Sequence, residues 1–139
     1  WVKEEVHPST HSISAILALE SPHVKGIMGG SGGIHMLHEW KRGSCGVIHA
    51  CQYCDLLQRI WNLLDAGHMA EAEELFEHFL PGVVAESLMG MPYAKEIMVR
   101  RGVLKNNRVR AQSRPLDEHD MREIDRVWAR IEPYLTWGK

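Results

Sequence analysis

Strand-like runs alternate with helix-like runs through the first 50 residues, all on short glycine-bearing links, and this alternation restricts the fold more than any other feature. Trp1 to Val6 is short, rich in apolar and β-branched residues, and stops at His7-Pro8, so it reads as the tail of a strand. Pro8-Ser9-Thr10 offers helix-start chemistry, and Ile13, Ile16 and Leu17 follow at helical spacing, which predicts a helix over 9–20. Ser21-Pro22 breaks it. Val24 to Met28 is again strand-like and runs into Gly29-Gly30-Ser31-Gly32-Gly33. Such a loop turns sharply and lets backbone approach a ligand closely. Ile34 to Arg42 reads as a short helix, with Leu37 and Trp40 or Lys41 as the choices for its inner and outer faces and Gly43 as its stop. Cys45 to Ala50 reads as a third strand.

Strands linked through helices are parallel strands, and parallel sheets are normally covered on both faces. Three strands with one helical side do not make a complete layered domain. The chain also opens at Trp1, inside an element and without Met, so a processed or truncated product is the expectation.

After residue 50 the pattern changes to helices alone. Leu56, Leu57, Ile60, Trp61 and Leu64 give one, closed by Gly67. Ala72, Leu75, Phe76, Phe79 and Leu80 give a second, expected to close at Pro81-Gly82. Tyr93 to Arg101 gives a third, closed by Gly102, with Arg100-Arg101 complementing the helix dipole. Residues 103–116 are polar and irregular. Asp117 then caps a last helix carrying Met121, Ile124, Val127 or Trp128, Ile131 and Leu135. The expected division is 1–50 for strands and their helices, and 51–139 for the helical remainder.

Net charge of −2 offers no basic face for nucleic acid and no polybasic patch for a membrane. No apolar run reaches a membrane span, and no secretory leader is legible. Three cysteines argue against a disulfide framework and fit a reducing cytoplasm.

The residue type that points to chemistry is Lys3. A lysine at a strand end, buried in the mouth of a barrel, is held neutral by desolvation and condenses with a ketone. The bland alternative is a solvated surface lysine. The resemblance that weighs between them runs along the chain. Trp1-Val2-Lys3-Glu4-Glu5 resembles the V-K-E segment of the dihydrodipicolinate synthase / N-acetylneuraminate lyase family. Gly26-Ile27-Met28-Gly29-Gly30 with Gly32-Gly33, then Glu39 and Arg42-Gly43, resembles the glycine loop of one branch of that family. Gly46-Val47-Ile48, Ala66-Gly67-His68 with Ala70 and Ala72, and Arg114-Pro115-Leu116 resemble further family segments, in order. The resemblance covers the whole chain and about the last half of a family member.

It implies a partial (β/α)8 barrel of class α/β, its last three strands followed by a carboxyl-terminal helical region. It implies a class I aldolase-type lyase acting on pyruvate or a related 2-oxo acid, with no cofactor and no metal. It implies Lys3 as the Schiff-base amine, Ile48 touching the oxo acid through its backbone, and Gly29 and Gly30 at the barrel mouth beside the second substrate. The parent would be a homo-oligomer, dimer or tetramer. The family's proton-shuttling tyrosine and its Thr-Thr carboxylate site belong to earlier strands and are not in this sequence, so the isolated chain is expected to be inactive.

Other readings stay open. The glycine loop is either a plain strand-to-helix turn or a phosphate cradle, though it matches neither the dinucleotide fingerprint nor the P-loop. Cys51-Gln52-Tyr53-Cys54, with His49 and Cys45 nearby, invites a metal or redox site, against which stand ordinary buried thiols. His35 and His38 share a helical spacing and read as solvated. The helices after residue 50 also admit a non-catalytic oligomerisation piece.

Overall fold

A computed structural model describes residues 1–137. Two compact units divide between His49 and Ala50. In the first, strand β1 (Val2–Glu4) precedes helix α1 (Ser9–Leu17), strand β2 (Ile27–Gly29), a 3-10 turn over Ser31–Gly33 and helix α2 (Met36–Lys41). β1 and β2 are parallel, with Val2 opposite Ile27, Lys3 opposite Met28 and Glu4 opposite Gly29. Side chains alternate between faces of a strand. Glu4, Ile27 and Gly29 are buried on the side where α1 and α2 pack, while Lys3 and Met28 share the other side.

The expected third strand over 45–50 is reduced to a single parallel bridge between Gly29 and Val47. The cause lies in the hydrogen bonds. Ile27 O accepts from Cys45 N–H (2.9 Å), and Gly29 O accepts from Ile48 N–H (2.8 Å). The acceptors are two residues apart and the donors three, the extra residue of a β-bulge, which interrupts a regular ladder. Ser44 stabilises the irregular start, since its buried hydroxyl donates to Gly46 O (2.7 Å) and reaches Ile27 O (3.2 Å).

The apolar core of this unit is small. Ile13 of α1, Ile27 of β2 and Met36 of α2 are fully buried. Helix α2 does not bury Leu37, Trp40 or Lys41. The residue it turns inward beside Met36 is Glu39, 1% exposed. Gly43 ends the helix at φ 89°, as expected.

In the second unit, α3 (Cys54–Asp65), α4 (Met69–Met89), α5 (Met91–Arg100) and α6 (Glu118–Ile131) form a helical layer, α4 packing on the other three. The stripes read from the sequence are the core: Leu56, Leu57, Ile60 and Leu64 of α3, and Ile124, Val127 and Ile131 of α6. Gly67 and Gly102 close α3 and α5 with positive φ (80° and 68°). Asp117 caps α6 by accepting from the N–H groups of His119 and Asp120, and Asp120 returns a bond to the Asp117 N–H.

Helix α4 departs from expectation, because it runs through Pro81-Gly82 to Met89. Proline removes one N–H and crowds the carbonyl four residues back. Burial of Phe79, Gly82, Val83 and Ala85 outweighs that local cost. Gly82 leaves the space that α6 and Tyr53 occupy, since a Cβ there would lie 2.7 Å from Ile131 Cδ1 and 3.1 Å from Tyr53 Oη. Tyr53 itself is buried, sharing a 2.5 Å hydroxyl contact with Tyr93. Burial raises both phenols, and Tyr93 is pushed up to about 12. Among the described residues, no helix is long and apolar enough to cross a membrane.

The sequence assigns Arg101 only a helix-end role. Its guanidinium is instead fully buried and bidentate to Asp55 (2.9 and 2.8 Å). It also donates to the Gln52 and Trp137 carbonyls and lies 4.0 Å over the Trp137 ring. Asp55 accepts further bonds from Thr136 N–H and Oγ1. Burial pushes the Asp55 carboxyl up, but Arg101 and Thr136 together hold it below the usual range.

Candidate active site

Lys3 lies in the middle of β1, on the sheet face opposite α1 and α2. Its side chain is 41% exposed, so within this chain the amine is not enclosed. Nζ lies 3.1 Å from Glu5 Oε1. The same carboxylate oxygen accepts the Ser31 N–H at 2.7 Å. Lys3, expected at the strand's end but found one residue inside it, is thereby linked through Glu5, just past the end of β1, to the glycine loop at the end of β2. That is the end of a parallel sheet at which ligands generally bind.

Gly29 and Gly30 are glycines for steric reasons. A Cβ on Gly29 would lie 1.7 Å from Glu39 Oε2, and one on Gly30 would lie 2.3 Å from Glu5 Oε1. Two carboxyl groups therefore pack directly on the loop backbone. Gly32 and Gly33 turn the chain with φ of 67° and 88°. Ile48 is 40% exposed, and its N–H is bonded to Gly29 O. The four residues singled out in the sequence thus fall into one neighbourhood of the first unit: Ile48 bonds to Gly29, Gly30 is next in chain, and Gly30 abuts the carboxylate that pairs with Lys3.

Glu39 is the residue whose environment sequence reasoning misses, although it was noted within the glycine-loop pattern. Ser9 Oγ donates to its Oε1 at 2.7 Å, while Oε2 is buried without a hydrogen-bond partner. Desolvation raises this carboxyl above the usual range, and the nearby charges of Glu4 and Glu5 add to the effect. Ser9 and His35 act in the opposite direction. Glu5 is shifted the other way, its carboxyl lowered first by the Ser31 N–H and then by Lys3.

The phosphate-cradle reading loses four of its donors. Gly29, Ser31, Gly33 and Ile34 each give their N–H to a protein acceptor: Gly46 O, Glu5 Oε1, Gly30 O and Ser31 O. The carboxylate on Ser31 also repels an anion. The cysteines are not the ordinary buried thiols expected. Cys45 and Cys51 are exposed, and Cys54, partly buried, donates to Cys51 O. Burial first, then the neighbouring charges of Cys51 and Asp55, raise the Cys54 thiol, which is the wrong direction for a reactive thiolate. Among the described residues, no three His, Cys, Asp or Glu side chains come together as a metal-holding group. His35 meets His7 edge to face at 5.6 Å, while His38 is exposed.

Strand, helix, strand and glycine loop, on a parallel pair of strands, fit part of a β/α barrel. The chain has the fold of part of a dihydrodipicolinate synthase, the family whose motifs its sequence resembles. The dihydrodipicolinate synthase from Rhodopseudomonas palustris superposes with a TM-score of 0.84 at 25% identity, over 92% of this chain and 44% of that one. The 4-hydroxy-tetrahydrodipicolinate synthase from the thermoacidophilic methanotroph Methylacidiphilum fumariolicum SolV gives 0.78 at 18% identity, over 97% and 45%. A monomeric dihydrodipicolinate synthase variant gives 0.79 at 15% identity, over 96% and 45%. The last two likenesses speak to the fold alone. The chain spans less than half the length of each of these structures. No family model matches it, and no curated protein does.

Proposed function

We propose that the chain is part of a class I aldolase-type lyase that binds pyruvate or a related 2-oxo acid as a Schiff base on Lys3. The observation that carries this reading is the setting of Lys3. It stands on the face of a parallel strand opposite α1 and α2, linked through Glu5 to a glycine loop, in a fold shared with dihydrodipicolinate synthases. Further barrel strands would dry the face on which the amine lies and lower the cost of its neutral form.

The chemistry is that of an amine and a ketone. The neutral amine attacks the ketone carbon, water leaves, and the imine nitrogen carries the positive charge. Loss of a proton from the neighbouring carbon gives an enamine. Its carbon attacks an aldehyde carbon, the aldehyde oxygen takes up a proton, and water returns to the imine carbon to free product and amine. Ile48 would present backbone to the oxo acid, and Gly29 and Gly30 would border the aldehyde. The location proposed is the cytoplasm, where its three unpaired cysteines would persist.

A second reading, an oligomer interface on the helical unit, has its own support. Leu80, Val84 and Leu88 line an apolar groove of about 440 Å³ beside α4, with Val84 and Leu88 exposed. The two readings are compatible, since the groove and Lys3 lie in different units.

The test is reductive trapping in the natural full-length protein. Pyruvate with borohydride is expected to add a stable mass to the peptide carrying Lys3, and Lys3→Ala to abolish it. Equal labelling of the Lys3→Ala variant refutes the assignment.

A further inference from the structure

We propose that Glu5 is a specificity-determining residue of the site, selecting an uncharged, hydroxyl-bearing aldehyde as the partner of the oxo acid and rejecting its phosphate ester. This rests on the reading of Lys3 given above and deepens it.

The position of Glu5 is built rather than incidental. Oε1 sits between Lys3 Nζ (3.1 Å) and the Ser31 N–H (2.7 Å), and Gly30 lacks the Cβ that would strike the carboxyl group. A glycine-rich loop between strand and helix is the backbone form that elsewhere binds phosphate. Here a side chain of the same chain takes the place of the anion. Of the other loop donors, the N–H groups of Gly29, Gly33 and Ile34 are committed to carbonyls.

The charges around Glu5 point the same way. Lys3 is its cationic neighbour, and that cation becomes the imine, already matched to the oxo-acid carboxylate. Glu4 and Glu39 stand behind the loop, with His35 near Glu39 and His7 against His35. Glu39 is held toward its neutral form by burial, while Glu5 is held ionised by Ser31 and Lys3. An incoming phosphate would meet a fixed carboxylate where it needs an N–H. A hydroxyl group meets an acceptor with lone pairs to offer.

The experiment measures kcat/KM with pyruvate for glyceraldehyde and for glyceraldehyde 3-phosphate, in the natural full-length protein and its Glu5→Gln and Glu5→Asp variants. The native protein is expected to favour the uncharged aldehyde, and Glu5→Gln to reduce that ratio by about tenfold, since it removes the like charge that opposes the ester. Glu5→Asp, which keeps the charge, should retain the preference, and this separates charge from a general structural loss. A ratio unmoved in Glu5→Gln, a native preference for the ester, or turnover of neither aldehyde overturns the inference. Borohydride trapping at Lys3 is run alongside, without aldehyde. Trapping with an unmoved ratio sinks the role of Glu5 alone, whereas no trapping sinks the Lys3 reading and this inference with it.

Discussion

Replacing Asp55 by Asn removes the only side-chain carboxylate that the described residues place on Arg101, while changing almost no volume. The Arg101 side chain has no exposed surface and that of Asp55 has 6%. The Arg101 charge therefore cannot turn to water when its partner is neutralised. Two bonds between opposite charges, at 2.9 and 2.8 Å, become at best one bond from the guanidinium to an uncharged amide oxygen. Breaking a buried pair in this way costs about 3–5 kcal/mol. For a unit of this size that is roughly 10 °C or more of melting temperature. Trp137 lies 4.0 Å from the guanidinium and reports the change directly.

The assay is urea unfolding of the 139-residue chain followed by tryptophan fluorescence, with the midpoint expected to fall at constant slope. The sign with pH is fixed too. Asp55 is held below its ordinary value of 3.8, so its contribution is complete above that value and is lost as the pH falls through the lowered one. The gap between native and variant should close in acid. A loss below about 1 kcal/mol at neutral pH, the scale of an exposed ion pair, refutes the reasoning. So does a paired Asp55→Leu, Arg101→Met variant that is no more stable than Asp55→Asn, because apolar replacement of both partners should restore much of the loss.

Two further outcomes follow from the loop. Gly29→Ala is expected to destabilise the chain by at least about 2 kcal/mol, because the new methyl overlaps the buried Glu39 carboxyl at 1.7 Å; an unchanged thermal melt would contradict that packing. Glu39→Gln should flatten the dependence of stability on pH. The native carboxyl titrates above its ordinary 4.5, so the native chain loses stability as pH rises from there through the raised value; an identical pH–stability curve in the variant would exclude it.

What was legible in the sequence is what local chemistry decides. The stops at Gly43, Gly67 and Gly102 depend on one residue's freedom at positive φ, and the Asp117 cap on bonds spanning three residues. The helix stripes of α3 and α6 follow from spacing alone. What was not legible depends on partners far along the chain. Arg101 reads as a helix-end cation until Asp55, 46 residues earlier, is brought against it. Glu39 is only one letter of a glycine-loop pattern until Ser9 and the bare backbone of Gly29 make a place for its carboxyl. Pro81 reads as a stop because its local cost is visible and the burial that offsets it is not. In the site, Lys3, Gly29, Gly30 and Ile48 were marked by resemblance. Glu5 lay inside the resembling segment without a role assigned to it, and the role proposed for it rests on a bond to Ser31, 26 residues away.

The bulge beside β2 fixes where Ile48 points. Ser44 is buried, and after it Gly46 faces Met28, with 3.4 Å from its would-be Cβ to Met28 Cγ. Strict alternation from Ser44 would send Ile48 in among the helices. The additional residue reverses the phase, leaving Ile48 on the side of Met28 and Lys3. The stretch from Ser44 to Ile48 is therefore one whose length matters more than its lettering: exchanges of side chain there are local events, but dropping a single residue would exchange the inner and outer sides of everything that follows in it.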